Sequence, residues 1–255
     1  MDRRYDLIVF DWDGTVMDST GHIARSFQLA CMDLGLACPS LHDANWIIGM
    51  GLVPALQQIL PDLPASEYPR LSAAYRTHFL AADDALPLFP GMAQLVAELA
   101  ASRNWLAVAT GKTRQGLERA LDQSGLRPYF DASCCADESF AKPNPAMLFN
   151  VIERTGADRR RTLMIGDTVH DLNMAEQAGV DAVAVSYGAH PVDVLASSRA
   201  LAVVDTCAAL RDWLLAAGQL AAATPGSAAT PGPAATPKSA ATPGATANLT
   251  PRGAA

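Results

Sequence analysis

The sequence has little of what secreted, membrane-spanning or nucleic-acid-binding proteins depend on. Its five cysteines are an odd number without Cys-x-x-Cys spacing, which argues against a disulfide framework or a structural zinc site and favours reduced, buried thiols. The net charge is −7 with no basic cluster, so nucleic acid is not expected as a partner. The apolar run behind Arg3 and Arg4 is one strand long, too short for a signal peptide or a membrane span. We therefore expect a soluble, cytoplasmic protein with no membrane partner.

The chain does contain enough apolar residues for a large core. Half of its 255 residues are hydrophobic, which suffices for one large domain or two small ones. Apolar runs typical of buried strands alternate with amphipathic, helix-like segments in the second part of the chain. Strands are predicted at 7–10, 105–110, 131–134, 162–165, 181–185 and 201–204, and helices at 92–102, 113–124, 145–156, 171–178 and 206–220. This order predicts a parallel sheet covered on both faces.

The segment between the first strand and residue 86 contains no predicted strand. Its apolar spacing predicts helices at 22–36, 41–48, 52–60 and 67–80, separated by turn signals. After residue 220 the composition shifts to Ala, Gly and Ser with a Thr-Pro pair every sixth residue from Thr224 to Thr242, which is too little apolar bulk for a core. We predict a core domain from residues 1–16 and 87–220, a helical cap from 17–86 and a disordered tail from 221–255. A spacer is the favoured interpretation of the tail, and a partner-binding role stays open.

The first strand ends in two carboxylates, Asp11 and Asp13, followed by Gly14 and Thr15. The carboxyl ends of parallel strands are where an open α/β sheet binds its ligand. Two carboxylates about 4 Å apart repel by about 4 kcal/mol at an effective dielectric near 20, so we expect a cation there, and carboxylate oxygens suit Mg²⁺. An ordinary Asp-Gly turn is the alternative. A calcium loop is disfavoured because His22 occupies the twelfth position, where an EF-hand requires Glu.

Three further predicted strand ends carry polar residues. Thr110 and Gly111 close the second strand with a hydroxyl and exposed backbone N–H groups, which suit an oxyanion such as phosphate. Lys142 lies between residues stiffened by two prolines, ahead of a helix. Asp167 and Asp171 follow the fourth strand. Each of these stretches taken alone also fits a simpler interpretation: a strand-end turn, a solvated lysine and a helix cap.

Taken together and in this order, these four stretches resemble the motifs of the haloacid dehalogenase superfamily, in its phosphatase branch. The similarity is greatest to the phosphoglycolate phosphatase group and extends over about residues 5 to 215. It implies an α/β fold with a Rossmann-like parallel sheet core and an inserted all-helical cap. It also implies hydrolysis of a small, phosphoglycolate-like phosphomonoester with Mg²⁺ as cofactor. Only Trp12 and Met17, both packing positions, depart from the usual residues of the first motif.

The resemblance also implies a role for each residue. Asp11 is expected to be the nucleophile that forms an aspartyl-phosphate, and Asp13 the group that protonates the leaving alkoxide and later activates water. Thr110, Gly111 and Lys142 are expected to bind the phosphoryl group and compensate its charge. The implied catalytic residues are Asp11, Asp13, Thr110 and Lys142, and the implied magnesium ligands are Asp11, Asp13 (through its backbone carbonyl), Asp167 and Asp171.

Two other functions are weighed. The first is a phosphomutase of the β-phosphoglucomutase type, in which a basic residue follows the glycine of a cap loop; here Gly49 is followed by Met50, Gly51 and Leu52, which favours hydrolysis. This loop also fits a simple helix–helix turn. The second is a non-catalytic phospho-acceptor or interaction module, against which the inserted cap, Asp13 and Lys142 argue.

The remaining candidates receive structural interpretations. His170 and His190 are predicted to be exposed loop residues rather than substrate contacts, and Cys134 and Cys135 are predicted to pack within a strand. Phosphoglycolate is the substrate expected for the family, while pyrophosphate, nucleotides and sugar phosphates stay open. The sequence leaves the oligomeric state open.

Overall fold

The structure, a computed structural model, describes residues 4–81 and 86–220. The predicted tail at 221–255 lies outside these residues. Within the two described ranges, no helix combines the length and the apolar character needed to cross a membrane.

A six-stranded sheet forms the centre of the molecule, and all of its strand pairs are parallel. Its strands are β1 (Leu7–Phe10), β2 (Trp105–Thr110), β3 (Ala132–Cys135), β4 (Thr162–Gly166), β5 (Asp181–Val185) and β6 (Val203–Val204). The strand order is β3-β2-β1-β4-β5-β6, that of a doubly wound Rossmann-like sheet. The order changes direction between β1 and β4, the point at which such sheets bind ligands. The predicted parallel α/β core is confirmed.

Helices cover both faces of the sheet and also form the segment between β1 and β2. Their bounds are α1 (Thr20–Asp33), α2 (Leu41–Trp46), α3 (Leu52–Ile59), α4 (Tyr68–Leu80), α5 (Met92–Ala101), α6 (Arg114–Ser124), α7 (Ala146–Thr155), α8 (Val169–Ala178), α9 (Val192–Ala196) and α10 (Cys207–Ala216). Short 3₁₀ turns lie at Ala65–Glu67, Arg127–Tyr129 and Arg159–Arg161.

The alternation of side chains along β1 explains why the sheet has two buried faces. Ile8 and Phe10 point into one hydrophobic core with residues of α5, α6 and α10. Leu7 and Val9 point into a second core with residues of α7 and α8. Successive side chains of a strand point to opposite faces, so a strand that is apolar throughout requires helices on both sides.

Helices α1 to α4 form the cap, which has a hydrophobic core of its own around Phe27, Leu56 and Leu71. Over the part of the insertion that the structure describes, residues 17–81, the predicted all-helical character is confirmed. The chain enters and leaves the cap side by side, because Met17 pairs with Leu88 in an antiparallel bridge. The exact division into residues 1–16, 17–86 and 87–220 stays a prediction.

Several element boundaries differ from the predictions for local reasons. Helix α8 begins at Val169, two residues early, because Thr168 and Asp171 form a capping box in which each side chain accepts the other residue's backbone N–H. Helix α9 was not predicted; it is only five residues long, too short to show a helical period. Trp12, Cys134 and Cys135 are fully buried, as their packing interpretation required.

Candidate active site

The predicted site residues meet at the carboxyl edge of the sheet, around the β1–β4 switch point. Asp11 follows β1, and its backbone N–H donates to the carbonyl of Ile165, which prolongs the β1–β4 ladder by one residue. Thr110 is the last residue of β2, and Asp167 follows β4. Because β1 lies between β2 and β4, their ends place these side chains next to one another.

Lys142 joins two of the carboxylates. Its Nζ lies 2.7 Å from Oδ1 of Asp11 and 2.7 Å from Oδ1 of Asp171, and all three side chains are essentially inaccessible to solvent. Burial alone would lower the pKa of Lys142, but the attraction of Asp11 and Asp171 outweighs it and raises the pKa above its ordinary value. The lysine is therefore a fixed cation inside the site.

The carboxyl groups of the site carry more negative charge than Lys142 alone offsets. Burial raises the pKa of Asp11 well above its ordinary value, and the neighbouring Asp171 and Asp167 raise it further, against the attraction of Lys142. Burial and the charge of Asp171 raise the pKa of Asp167 to about 7. Carboxylates whose ionisation is suppressed in this way are stabilised in the charged form by a nearby cation.

Asp167 is held in one orientation by two hydrogen bonds. The hydroxyl of Thr15 donates to its Oδ1 at 2.8 Å, and the backbone N–H of Ala189 donates to its Oδ2 at 2.7 Å. Thr15 lies in the first motif and Ala189 in the loop after β5, so three separate strand ends fix this carboxylate. The contribution of the β5 loop has no local sequence signal.

Three glycines allow the backbone to approach these acids closely. A Cβ atom on Gly14 or on Gly188 would overlap the carboxylate of Asp167, and one on Gly166 would overlap Asp171. Gly14 also has a φ of +82°, a conformation that L side chains rarely adopt. The glycines explain why the acids pack so tightly at this edge.

The residues present fit a magnesium ion. Asp11, Asp167 and Asp171 each offer a carboxylate oxygen within 4.8 Å of the others, and Oδ2 of Asp11 is buried without a hydrogen bond from any described residue. Hard carboxylate oxygens are the ligands that Mg²⁺ prefers. The carboxylate of Asp13 is not part of this group among the described residues, and its predicted contribution through the backbone carbonyl stays a prediction.

The Asp13 carboxylate lies instead on the side of the cap. Its Oδ1 accepts a hydrogen bond from the Ser19 hydroxyl at 2.6 Å and lies 3.0 Å from Nζ of Lys112. Ser19 occupies the N-cap position of α1 without a capping side-chain bond, and its hydroxyl instead positions Asp13. Asp13 also lines the cavity between cap and core.

The cap loop closes over the segment that is predicted to bind phosphate. A Cβ on Gly111 would lie 2.8 Å from the carbonyl oxygen of Met50 and 2.9 Å from that of Gly49. A Cβ on Gly49 would lie 3.9 Å from Oδ2 of Asp11. The loop is thus more than a helix–helix turn, since it covers the proposed nucleophile, while the buried Thr110 lies in the strand end below it.

The interpretation of His170 and His190 as exposed loop residues is wrong. His170 lies in α8, both rings are buried, and each donates through Nε2 to the backbone oxygen of Trp46 in the cap at 3.0 Å. The Trp46 ring also stacks on that of His190, with centroids 4.5 Å apart. A core histidine that meets a cap residue more than a hundred positions away leaves no signal in a local sequence pattern.

Lys112 is a further site residue that the sequence analysis did not identify. It follows Thr110 and Gly111 directly after β2, a position that could have indicated a role at the sheet edge. Its backbone N–H donates to the Thr110 hydroxyl at 3.2 Å, and its ammonium group reaches across to Asp13.

Comparisons with known proteins show what the chain is similar to. The model of the family described as haloacid dehalogenase-like hydrolase matches residues 8–185. The chain is 37% identical to the probable phosphatase IndB of Dickeya dadantii, over 78% of this chain and 89% of that protein. It is 28% identical to a phosphoglycolate phosphatase of Agrobacterium fabrum, over 85% of this chain and 97% of that protein.

Among solved structures, a hydrolase from Pseudomonas syringae has the same fold, with a TM-score of 0.77 and 21% identity, over 82% of this chain and 97% of that one. These matches cover the core and the cap together. The chain therefore belongs to the haloacid dehalogenase-like hydrolase family, in its phosphoglycolate phosphatase-like group, and is a phosphoric monoester hydrolase.

Proposed function

We propose that the protein hydrolyses a small phosphomonoester in a Mg²⁺-dependent reaction that passes through an aspartyl-phosphate on Asp11. The observation that carries this proposal is the buried contact of Lys142 with both Asp11 and Asp171, at 2.7 Å each. A buried lysine held between two acids neutralises charge without mobility, as phosphoryl transfer requires. Phosphoglycolate, for which the Agrobacterium relative is named, is the first ester to test.

In the first half-reaction Asp11 attacks phosphorus while the bond to the leaving oxygen breaks. Lys142 holds Oδ1 of this carboxylate at 2.7 Å, which fixes its orientation. The Thr110 hydroxyl and the N–H groups around Gly111 bind the phosphoryl oxygens, and Lys142 offsets their charge. Asp11, Asp167 and Asp171 would hold Mg²⁺, which would supply further compensation of the phosphoryl charge.

Asp13 completes both halves of the reaction. It gives its proton to the departing alkoxide, and its carboxylate then takes a proton from the water that attacks the aspartyl-phosphate. Ser19 and Lys112 hold this carboxylate on the cap side of the site. The net change is one ester and one water consumed, with one alcohol and one phosphate released, and both aspartates restored.

The phosphomutase alternative is separable by its products. The cap loop over Asp11 carries no basic residue at Met50 or Gly51, which disfavours a second phosphate site at that position. A mutase would require a bisphosphate activator and release little inorganic phosphate, so a steady-state phosphate assay without activator distinguishes the two.

Asp11→Asn tests the nucleophile. We expect wild-type protein with Mg²⁺ to release phosphate from phosphoglycolate or an aryl phosphate, and to lose that activity in excess EDTA. The Asp11→Asn variant is expected to have no turnover. When the wild type is mixed with ³²P-labelled ester and rapidly quenched, we expect label on the protein, and we expect none on the variant. Exposed Asp62 provides the matched control, Asp62→Asn, which should behave as wild type.

Two outcomes would contradict the proposal. Normal turnover by a folded Asp11→Asn protein would remove Asp11 as nucleophile. Full activity of the wild type after EDTA treatment would show that the reaction does not require Mg²⁺. A thermal-shift titration gives an independent readout: Mg²⁺ should raise the melting temperature of the wild type and not that of Asp167→Asn.

A further inference from the structure

A cavity of about 460 Å³ lies between the cap and the core next to the proposed general acid. Asp13 lines it, together with the cap loop at Gly49 and Met50 and with Lys112 of the core. Asp13 is proposed to protonate the leaving oxygen, so whatever is attached to that oxygen extends into this cavity. The cavity is therefore the site of the organic part of the substrate.

The volume of the cavity is large for a two-carbon acid. Pockets of roughly 300–1,000 Å³ hold ligands of drug size. The glycolate part of phosphoglycolate has five non-hydrogen atoms, and at about 30 Å³ for each water-sized group it would fill about 150 Å³, a third of the 460 Å³ present. A ring with a substituent fills the remainder.

The walls of the cavity have two different characters. The cap side is apolar and partly aromatic, with Phe27, Ile47, Tyr75 and Phe79. Cationic side chains also line the cavity: Arg76 from α4 of the cap, and Lys112 and Arg119 from the core. An apolar wall binds a ring by burying its surface, and guanidinium groups bind carboxylate or phosphate.

We propose that the substrate is a phosphomonoester whose organic part contains a ring, packed on the apolar cap wall, and a second anionic group, bound by Arg76 and Arg119. This inference rests on the proposed function, because it uses the same nucleophile and general acid. The reaction is unchanged: the bond from phosphorus to the ester oxygen breaks, and Asp13 supplies the proton to that oxygen. Phosphoglycolate provides the anionic group without the ring.

Four esters of primary alcohols, which keep the leaving group similar, separate the two parts of the proposal. They are ethyl phosphate, phosphoglycolate, benzyl phosphate and 4-carboxybenzyl phosphate. We expect kcat/KM to be highest for 4-carboxybenzyl phosphate, at least about tenfold above phosphoglycolate, since even one methylene in a fitted apolar pocket changes kcat/KM by about 10- to 200-fold. We also expect kcat/KM to be higher for benzyl phosphate than for ethyl phosphate.

Arg76→Gln tests the anionic part. It should lower the ratio of kcat/KM for 4-carboxybenzyl phosphate to that for benzyl phosphate about tenfold, the effect of losing a charge-assisted hydrogen bond. Arg70 is the matched control: it lies on the same helix, pairs with Glu67 and does not line the cavity, so Arg70→Gln should keep the wild-type ratio.

The possible failures are distinguishable. If kcat/KM for phosphoglycolate or for ethyl phosphate equals that for 4-carboxybenzyl phosphate, the proposal of a ring-containing substrate is wrong, while the phosphatase proposal stands. An unchanged ratio in Arg76→Gln overturns the anionic group alone. Release of phosphate from none of the four esters overturns the proposed function, and this inference with it.

Discussion

Nζ of Lys112 lies 3.0 Å from Oδ1 of Asp13, and the same ammonium group lies over the ring of Phe79 in the cap, 4.8 Å from its centroid. The lysine and aspartate side chains are only 9% and 11% exposed, so water screens this pair weakly. One core lysine therefore contacts both the proposed general acid and the wall of the cap.

Replacing Lys112 by Met is expected to lower kcat. The change leaves Asp13 with Ser19 as its remaining described partner. Loss of one partner by a buried polar group costs about 1–3 kcal/mol of free energy, which corresponds to a decrease in rate of about 5- to 150-fold. Steady-state phosphate release measures the loss, and Lys112→Arg should recover part of it. Unchanged kcat in Lys112→Met would mean that Ser19 alone positions Asp13.

Replacing Lys142 by Met is expected to destabilise the fold as well as stop turnover. The fully buried Asp11 and Asp171 would lose the cation that lies 2.7 Å from each, and breaking a buried ion pair costs about 3–5 kcal/mol. Urea unfolding in EDTA at pH 8 measures the free energy of unfolding. The double variant with Asp11→Asn should regain part of the loss, because one uncompensated charge is gone; no regain would show that the carboxylates do not cause the instability.

Replacing Gly188 by Ala is expected to weaken Mg²⁺ binding. The new Cβ would overlap the Asp167 carboxylate and the backbone oxygen of Gly14, so Asp167 must move away from its place beside Asp11. A Mg²⁺ titration followed by thermal shift should give a higher apparent Kd. Gly21→Ala is the control, since nothing lies within 4 Å of its Cβ position; equal Mg²⁺ affinity in both variants would exclude Asp167 as a ligand.

His190 is expected to make the contact between cap and core sensitive to acid. Its Nδ1 accepts the Val169 N–H while its Nε2 donates to the Trp46 oxygen, so both ring nitrogens are used in the neutral form. Burial, with a smaller contribution from the nearby His170, lowers the pKa of His190 to about 4, against the hydrogen bond to Trp46, which raises it. The unfolded chain therefore takes up a proton between about pH 6.5 and 4 that the folded chain resists, and stability falls as the pH falls through this window.

Thermal unfolding in EDTA at pH 7.5 and at pH 5 measures this effect. Other groups also face the ring, with His42 opposing its protonation and Asp171 favouring it, and the raised pKa of Asp167 produces the opposite trend with pH. The comparison is therefore with His190→Gln, which cannot take up the proton and should lose less stability on acidification than wild type. Identical pH profiles for His190→Gln and wild type would contradict the assignment.

The core could be predicted from local pattern because its strands are short apolar runs that end in polar residues. The carboxyl ends of parallel strands share one edge, so the order Asp11, Thr110, Asp167 along the chain already implied one site. Strand lengths and helix starts were less accurate where a few residues decide them, as at Thr168, whose capping box moved the start of α8.

The sequence by itself determined the alternation of strands and helices, the helical insertion and the residue types at each strand end, because these follow from periodicity and from motifs a few residues long. Only the tertiary structure decided that the Asp13 carboxylate faces the cap cavity rather than the acidic group, that Lys112 reaches it, and that two buried histidines meet Trp46. Those contacts depend on how the cap packs against the core, and packing between segments far apart in the chain has no local period to reveal it.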